Sequence, residues 1–401
     1  NNDDWLTVFD SQERPKTINE KIVFDETHQA RYIRLYVSSF TADDPDGGVT
    51  WNTISLYEIE VYGGIPKESA TDLAEQIEIK QPEKGDSKLE VTYPESEDYT
   101  FAFNGADYEQ VVGEDLTIYE PVVDTDINAS FKIISKTSGD YIFKELKVTI
   151  PGTYKKETGD NAVPQILPEL REWKGNSGDF KVNEQSRIVY KDDALKETAQ
   201  YFQEDYQDMT GKAIEVVQGT DVKAGDFYLS LTNDLSKGLQ DEGYLMNIDD
   251  SVTVEAQTTT GAFWATRTIL QALKGNDNVS IPKGITRDYP LYKVRGFILD
   301  VGRKTFTLDY LEQVVKEMSW YKMNDFQVHL NDNLIVLERL GSVEEIMAAY
   351  SGFRLESDIK EGGNNGLNKA DLTSKDVYYT KDDFRDFIKK SRVYGVDIVP
   401  E

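Results

Sequence analysis

The chain has no cysteine. That excludes a disulfide framework, a thiolate nucleophile and a cysteine-ligated zinc site. Histidine is nearly as scarce: His28 and His329 are the only imidazoles, so the side chains on hand imply neither a metal nor a cofactor. Positive charge is also short. Lys and Arg number 44 against 73 Asp and Glu, a formal net charge of -29, which repels a nucleic-acid backbone or an anionic membrane surface. No run approaches the ~20 apolar residues of a membrane span, and no basic-then-apolar signal peptide opens the chain. It begins at Asn1 rather than Met, which reads as a processed or truncated N-terminus whose localisation signals went with the missing part.

What is present suffices for folded domains. Hydrophobic residues make up 39% of the 401, enough to give each of two to four domains a core at roughly 100–200 residues per domain. Over residues 1–64, short alternating runs such as Arg31-Tyr32-Ile33-Arg34-Leu35-Tyr36-Val37 and Ile54-Ser55-Leu56-Tyr57-Glu58-Ile59-Glu60-Val61-Tyr62 read as strands, with the turn cluster Asp43-Asp44-Pro45-Asp46-Gly47-Gly48 between them. Residues 66–152 carry further short strand-like runs without helical periodicity. They predict a β-sandwich of immunoglobulin-like size that serves as a spacer. Residues 163–288 mix strands (Ile188–Tyr190, Phe227–Leu231, Val252–Ala256) with helices (Ala194–Tyr206, Ala262–Leu273), which predicts an α+β domain.

From Tyr289 to Glu401 the order is strand (Val294–Val301), helix, strand (Phe326–Leu330), long loop, helix (Asp382–Tyr394) and strand (Val396–Val399). Alternation of this kind predicts a parallel sheet with functional side chains at the carboxyl ends of its strands. Polar residues do gather there. The first strand runs through Asp300 into Arg303, the second ends at His329-Leu330-Asn331-Asp332-Asn333, and the third at Pro400-Glu401. On spacing alone this is equally a functional rim or a set of structural pairs, such as an Arg303–Asp332 ion pair and a satisfied packing histidine. An arginine at such a rim can donate several fixed hydrogen bonds to vicinal hydroxyls, each worth roughly 1.5–3 kcal/mol when charge-assisted, and sugars present such hydroxyls. Other conspicuous residues have plainer readings. Trp51 reads as a core or hairpin-packing tryptophan, His28 as a solvated loop residue, and Asp382-Asp383 as acids favoured by a helix N-terminus.

Three motifs in order carry a resemblance. Val294-Arg295-Gly296-Phe297-Ile298-Leu299-Asp300-Val301-Gly302-Arg303, then Met318-Ser319-Trp320-Tyr321-Lys322-Met323-Asn324, then His329-Leu330-Asn331-Asp332-Asn333 closely resemble the opening of the catalytic barrel in family 20 glycoside hydrolases. These are the β-N-acetylhexosaminidases and their relatives, including lacto-N-biosidases. The resemblance extends from about Val163 to Glu401. It implies that Arg303 holds the hydroxyls of a terminal N-acetylhexosamine, and that His329, Asp332, Arg354 and Glu401 support the pocket. It also implies substrate-assisted retaining hydrolysis, in which the 2-acetamido oxygen of the substrate attacks the anomeric carbon, an Asp steadies that group and a neighbouring Glu protonates the leaving oxygen. That acid pair belongs after a fourth strand, so no catalytic residue is assigned among these 401. The sequence departs from the pattern at Asn333, where the family commonly has a second acid, and in a long insertion before Gly352.

Residues 1–64 resemble, through Asp4-Trp5, Ala30-Arg31-Tyr32-Ile33-Arg34-Leu35 and Leu56-Tyr57-Glu58-Ile59-Glu60-Val61-Tyr62-Gly63, the second half of a discoidin-type (coagulation factor 5/8 C-terminal) carbohydrate-binding module. The expectation is therefore a multidomain chain: β-sandwich modules, an α+β domain, then the first three βα units of a truncated (β/α)8 TIM barrel. A whole barrel takes about 250 residues, and the stretch from Tyr289 is less than half that. The piece itself is then expected to be inactive, with its third strand an exposed edge. The expected parent is a secreted or surface-attached bacterial glycosidase acting on glycans with terminal N-acetylhexosamine. The alternative is a non-catalytic glycan-binding or adhesion protein with a vestigial barrel.

Overall fold

The computed structural model describes residues 7, 33–35, 68–155, 160–331, 342, 353–358, 373 and 377–401. The discoidin-type expectation over 1–64, with His28 and Trp51, lies outside the described residues, as do Asp332 and Asn333. By compactness the chain divides into one unit of residues 1–77, 93–102 and 132–144 and a second of 78–92, 103–131 and 145–401.

In the first unit, helix α1 (Ala70–Ala74) starts at Ser69, whose hydroxyl accepts the Asp72 N–H. Also in this unit, Tyr93 stacks on Phe101 and the Lys132 ammonium lies 3.7 Å over the Tyr141 ring. An immunoglobulin-type sandwich needs about seven strands. The described residues of 66–152 form five: a two-stranded sheet of β1 (Glu78–Ile79) and β2 (Val91–Thr92), and a three-stranded sheet in the order β3 (Tyr99–Ala106), β4 (Thr125–Ser135), β5 (Tyr141–Ile150). Within the second unit, Leu89, Val111, Val112, Ile127, Val148 and Ile150 share a small core that also takes in Tyr289.

A seven-stranded mixed sheet follows. Its strands are β6 (Lys174–Lys181), β7 (Arg187–Tyr190), β8 (Glu215–Gln218), β9 (Phe227–Leu231), β10 (Tyr244–Ile248), β11 (Val252–Ala256) and β12 (Ser280–Asp288), ordered β6-β12-β10-β11-β9-β7-β8. The β6, β12, β10 and β11 end is antiparallel and the β11, β9, β7 and β8 end is parallel. Helix α2 (Lys196–Thr210) buries Ala199, Phe202 and Tyr206 and stops at Gly211, a left-handed residue at φ 71. Helix α3 (Thr259–Lys274) starts from Thr258, whose hydroxyl accepts the Gly261 N–H. The sequence shows an apolar stripe on α3, but every residue from Gly261 to Leu273 is buried. Its one buried charge, Arg267, reaches Asp205 at 2.6 Å.

Beyond β12 come β13 (Gly296–Asp300), helix α4 (Leu308–Trp320), β14 (Asp325–His329), helix α5 (Lys381–Val393) and β15 (Asp397–Pro400). The three strands form a parallel sheet in the order β13-β14-β15. Each helix opens on a threonine cap, Thr307 accepting from Tyr310 N and Thr380 from Asp383 N. Leu311, Val315 and Met318 on α4 and Phe384 and Phe387 on α5 meet Phe326 and Val328 of β14 in a core continuous with that of the seven-stranded sheet. The flanking strands are barer, with Phe297 at 43%, Ile298 at 54% and Val399 at 40% exposure.

Buried charges at the end of β12 join these parts. Glu172, fully buried, accepts from Arg287 Nη2 at 2.7 Å, Tyr289 Oη at 2.9 Å and the Val122 backbone N at 2.6 Å. Burial, with Glu172 adjacent, pushes the Tyr289 phenol well above its ordinary value. Removing one partner of such a pair strands the other charge. Glu172→Ala should therefore cost about 3–5 kcal/mol, and Glu172→Gln, which keeps an acceptor for the Val122 N–H, should cost less. Urea unfolding followed by tryptophan fluorescence measures both, and two equal, small losses would contradict this account.

Candidate functional site

Parallel pairing sets Asp300 beside His329, and the next step of register carries the row on to Glu401. Residues paired in a parallel ladder share a face, so three acid–base side chains line one edge of the sheet at its carboxyl end. The His329 Nδ1 and Glu401 Oε2 lie 2.5 Å apart. The main chain ties the same row together: Leu330 N donates to Glu401 O at 2.5 Å, and Val301 N and Gly302 N both donate to His329 O at 3.0 Å. A Cβ on Gly302 would lie 3.0–3.1 Å from the Asn331 backbone, tighter than an ordinary contact, so a side chain there would press the two strand exits apart.

Arg303 follows the turn. Its backbone N donates to Asp300 Oδ1 at 2.9 Å and its Nη1 to Asp300 Oδ2 at 2.5 Å. One carboxylate beside Arg303 is Asp300, the strand-end residue three positions earlier; the expected Arg303–Asp332 pair lies outside the described residues. An i,i+3 acid before an arginine at a strand exit is the signal for that pair. Partial burial works against ionising Asp300, but the N–H and guanidinium of Arg303, with His329 nearby, outweigh it and hold the carboxyl below the usual carboxylate range.

Arg354 comes back to the rim from the segment after β14. It is 5% exposed. Phe353 bridges Asn331 and Leu355 bridges Tyr379. The Arg354 guanidinium donates to the carbonyls of Val301, Gly302 and Val377, each at 3.1 Å. Tyr379, which sequence reasoning missed, is 3% exposed and donates its hydroxyl to Phe306 O at 2.7 Å; burial pushes its phenol up to about 12. Asn331 carries a buried Oδ1 with no hydrogen-bond partner among the described residues. Of the residues singled out from the sequence, Arg303, His329, Arg354 and Glu401 therefore sit at one end of the sheet.

At the opposite, amino end lies a cleft of about 210 Å³ lined by Tyr244, Trp264, Tyr292, Arg295 and Lys322, among others. Four of its charged groups are paired with one another: Arg295 with Glu242, and Lys322 with Asp288 at 2.7 Å. Among the described residues no group of three His, Asp or Glu side chains is arranged to hold a metal. Among the described residues no helix is long and apolar enough to cross a membrane.

In parallel sheets flanked by helices, ligands bind outside the carboxyl ends of the strands, which is where this polar row lies. Residues 163–289 match the model of Glycosyl hydrolase family 20, domain 2, and residues 292–401 match that of Glycosyl hydrolase family 20, catalytic domain. Together these stretches take in more than half of the chain, which belongs to glycosyl hydrolase family 20 and is β-N-acetylhexosaminidase-like. It is 28% identical over 241 residues to the lacto-N-biosidase of Bifidobacterium bifidum, covering 59% of this chain and 18% of that protein. Over 247 residues it is 24% identical to a beta-hexosaminidase of Vibrio furnissii, covering 60% and 38%. The chain thus spans well under half the length of these relatives. A solved structure, the family 20 exo-β-N-acetylglucosaminidase of Vibrio harveyi in complex with N-acetylglucosamine, is similar at a TM-score of 0.45 and 18% identity, covering 68% of this chain and 42% of that one.

The Asp300–Arg303 pair makes a signed prediction. A carboxyl whose folded value is depressed adds stability that is present above the unfolded aspartate range, near ~3.9, and lost as pH falls through the lower folded value. Carboxyl-carbon NMR should show Asp300 titrating below that range, and Arg303→Ala should move it upward. A midpoint at or above the unfolded value would refute the pairing.

Proposed function

We propose that the protein carrying this chain hydrolyses terminal β-linked N-acetylhexosamine from glycans, and that Arg303 holds hydroxyls of the terminal sugar. The observation that supports this most is Arg303 itself. It stands at the carboxyl end of the first parallel strand, braced by Asp300, inside the stretch that matches the family 20 catalytic domain. A guanidinium offers a rigid fork of donors suited to neighbouring hydroxyls. The His329–Glu401 contact gives the same edge an imidazole fixed by a carboxylate. Asp332 completes the proposed pocket support.

The mechanism that suits the family is attack by the substrate's own acetamido oxygen, so no enzyme nucleophile is required. The Asp and Glu that steady the acetamido group and protonate the leaving oxygen are proposed to follow a fourth strand. The 401-residue chain alone should accordingly show no turnover. Two finer readings go with this: a discoidin-type carbohydrate-binding module over residues 1–64, and secretion or attachment to a bacterial surface. The net charge of -29 supports glycans over nucleic acid as partners.

The test is hydrolysis of a chromogenic N-acetyl-β-glucosaminide by the protein made from its complete reading frame. Release of the chromophore is expected, falling about 100-fold or more in kcat/KM for Arg303→Ala, since charge-assisted sugar contacts carry several kcal/mol. Turnover that survives Arg303→Ala, or turnover by the 401-residue chain alone, would overturn the proposal. Glycan binding without any turnover would favour the non-catalytic adhesion reading, to which Asn333 in place of a second acid also points.

A further inference from the structure

We infer that Arg354 is a positioning residue that sets Arg303 through the two peptide planes between them, an inference that rests on Arg303 holding the terminal sugar. Arg354 is too deeply buried to present its guanidinium to a ligand, and its three described side-chain bonds go to backbone carbonyls. Two of those carbonyls, Val301 O and Gly302 O at 3.1 Å each, belong to the turn just before Arg303.

A peptide unit is planar, so a carbonyl and the N–H of the following residue turn together. The Val301 carbonyl shares its plane with Gly302 N–H, which donates to His329 O at 3.0 Å. The Gly302 carbonyl shares its plane with Arg303 N–H, which donates to Asp300 Oδ1 at 2.9 Å. Arg354 therefore holds one edge of both planes while His329 and Asp300 hold the other. If the Gly302 carbonyl rotates away, the Arg303 N–H leaves Asp300, and Asp300 is the carboxylate that fixes the Arg303 guanidinium.

The main chain of Arg354 fixes the clamp in turn. Its N donates to Leu330 O at 3.0 Å and its carbonyl accepts Tyr379 N at 2.7 Å, while its Nη1 reaches Val377 O. One residue thus binds the exits of β13 and β14 and the approach to α5. Lysine keeps the charge but cannot span three separated carbonyls from one ammonium.

The test uses the complete protein as wild type, Arg354→Lys, Arg354→Ala, Arg303→Ala and the double variant Arg303→Ala with Arg354→Ala. Hydrogen exchange at Gly302 and Arg303 should rise about tenfold or more in both Arg354 variants while the Val252–Ala256 strand stays protected, as a local opening requires. The KM for the N-acetyl-β-glucosaminide should rise toward that of Arg303→Ala, with a loss in kcat/KM of up to about 100-fold, the scale of a misplaced contact. The double variant should be no worse than Arg303→Ala alone, because both act through one group. Unchanged exchange at those amides, or losses that add, would overturn the positioning role. If wild-type protein neither binds nor hydrolyses the sugar, the functional reading fails, and the exchange result still judges the clamp separately.

Discussion

The architecture depends on what the end of β12 does with two consecutive charges. Side chains of neighbouring strand residues point to opposite faces, so Arg287 and Asp288 can each take a buried partner on a different side. Arg287 meets Glu172, which also holds the Val122 N–H of the small β region. Asp288 meets Tyr244 at 2.8 Å and Lys322, just past α4, at 2.7 Å. Neither pair is a cheap source of stability, because desolvating the charges costs about as much as the pairing returns. Their effect lies in what misplacement would leave behind. A shift of the three-stranded sheet and its helices against the seven-stranded sheet would strand Asp288 and Lys322 unpaired below the surface, at a cost of about 3–5 kcal/mol.

That arrangement divides the work between the two ends of the parallel strands. At the amino end, Arg295 bonds Glu242, Lys322 O at 2.6 Å and Tyr292 O. Trp264 donates its indole N–H to the same Glu242 at 2.8 Å, so polar groups there are consumed in anchoring. At the carboxyl end the main chain is just as firmly tied, yet Asp300, Arg303, His329 and Glu401 keep partial exposure. A rim with a fixed backbone and accessible polar tips is what a binding site requires, since ordering done during folding need not be repeated when a ligand arrives.

How far this could be read from sequence follows from which signals are local. The α4 stripe Leu311, Val315, Met318 and the alternation in β14 are periodic, and both elements appear where expected. Strand β6 (Lys-Gly-Asn-Ser-Gly-Asp-Phe-Lys) buries little besides Gly175 and Phe180 and owes its place to pairing with β12. Strand β12 itself contains Pro282, beside which its register shifts, so neither strand carries a clean period of two. The full burial of α3 was hidden because Arg267 interrupts it, and only Asp205, 62 positions away, removes the objection. In the site, strand order brings Arg303, His329 and Glu401 together, as alternation alone predicts. The clamp by Arg354 was invisible, because a bond to a backbone carbonyl leaves no mark on the identity of its partner.

Lys322 shows the same limit from the other direction. It follows the C-cap of α4 at φ 56, the left-handed position that glycine usually fills. Its N–H reaches Ser319 O, and Met323 N–H reaches Met318 O, the paired bonds that close a helix in this way. A side chain there costs roughly 1–2 kcal/mol in backbone strain, and local propensity alone would choose glycine. The ammonium makes charge-assisted bonds to Asp288 at 2.7 Å and to Tyr244 at 3.0 Å, so a glycine there would relieve the strain but leave Asp288 buried without its cation, at a cost of about 3–5 kcal/mol. Burial raises the Tyr244 phenol well above its ordinary value, so it remains a neutral hydroxyl that can accept from Lys322 while donating to Asp288. A residue that offends its own turn thus answers a bond made 34 positions back, at the end of β12.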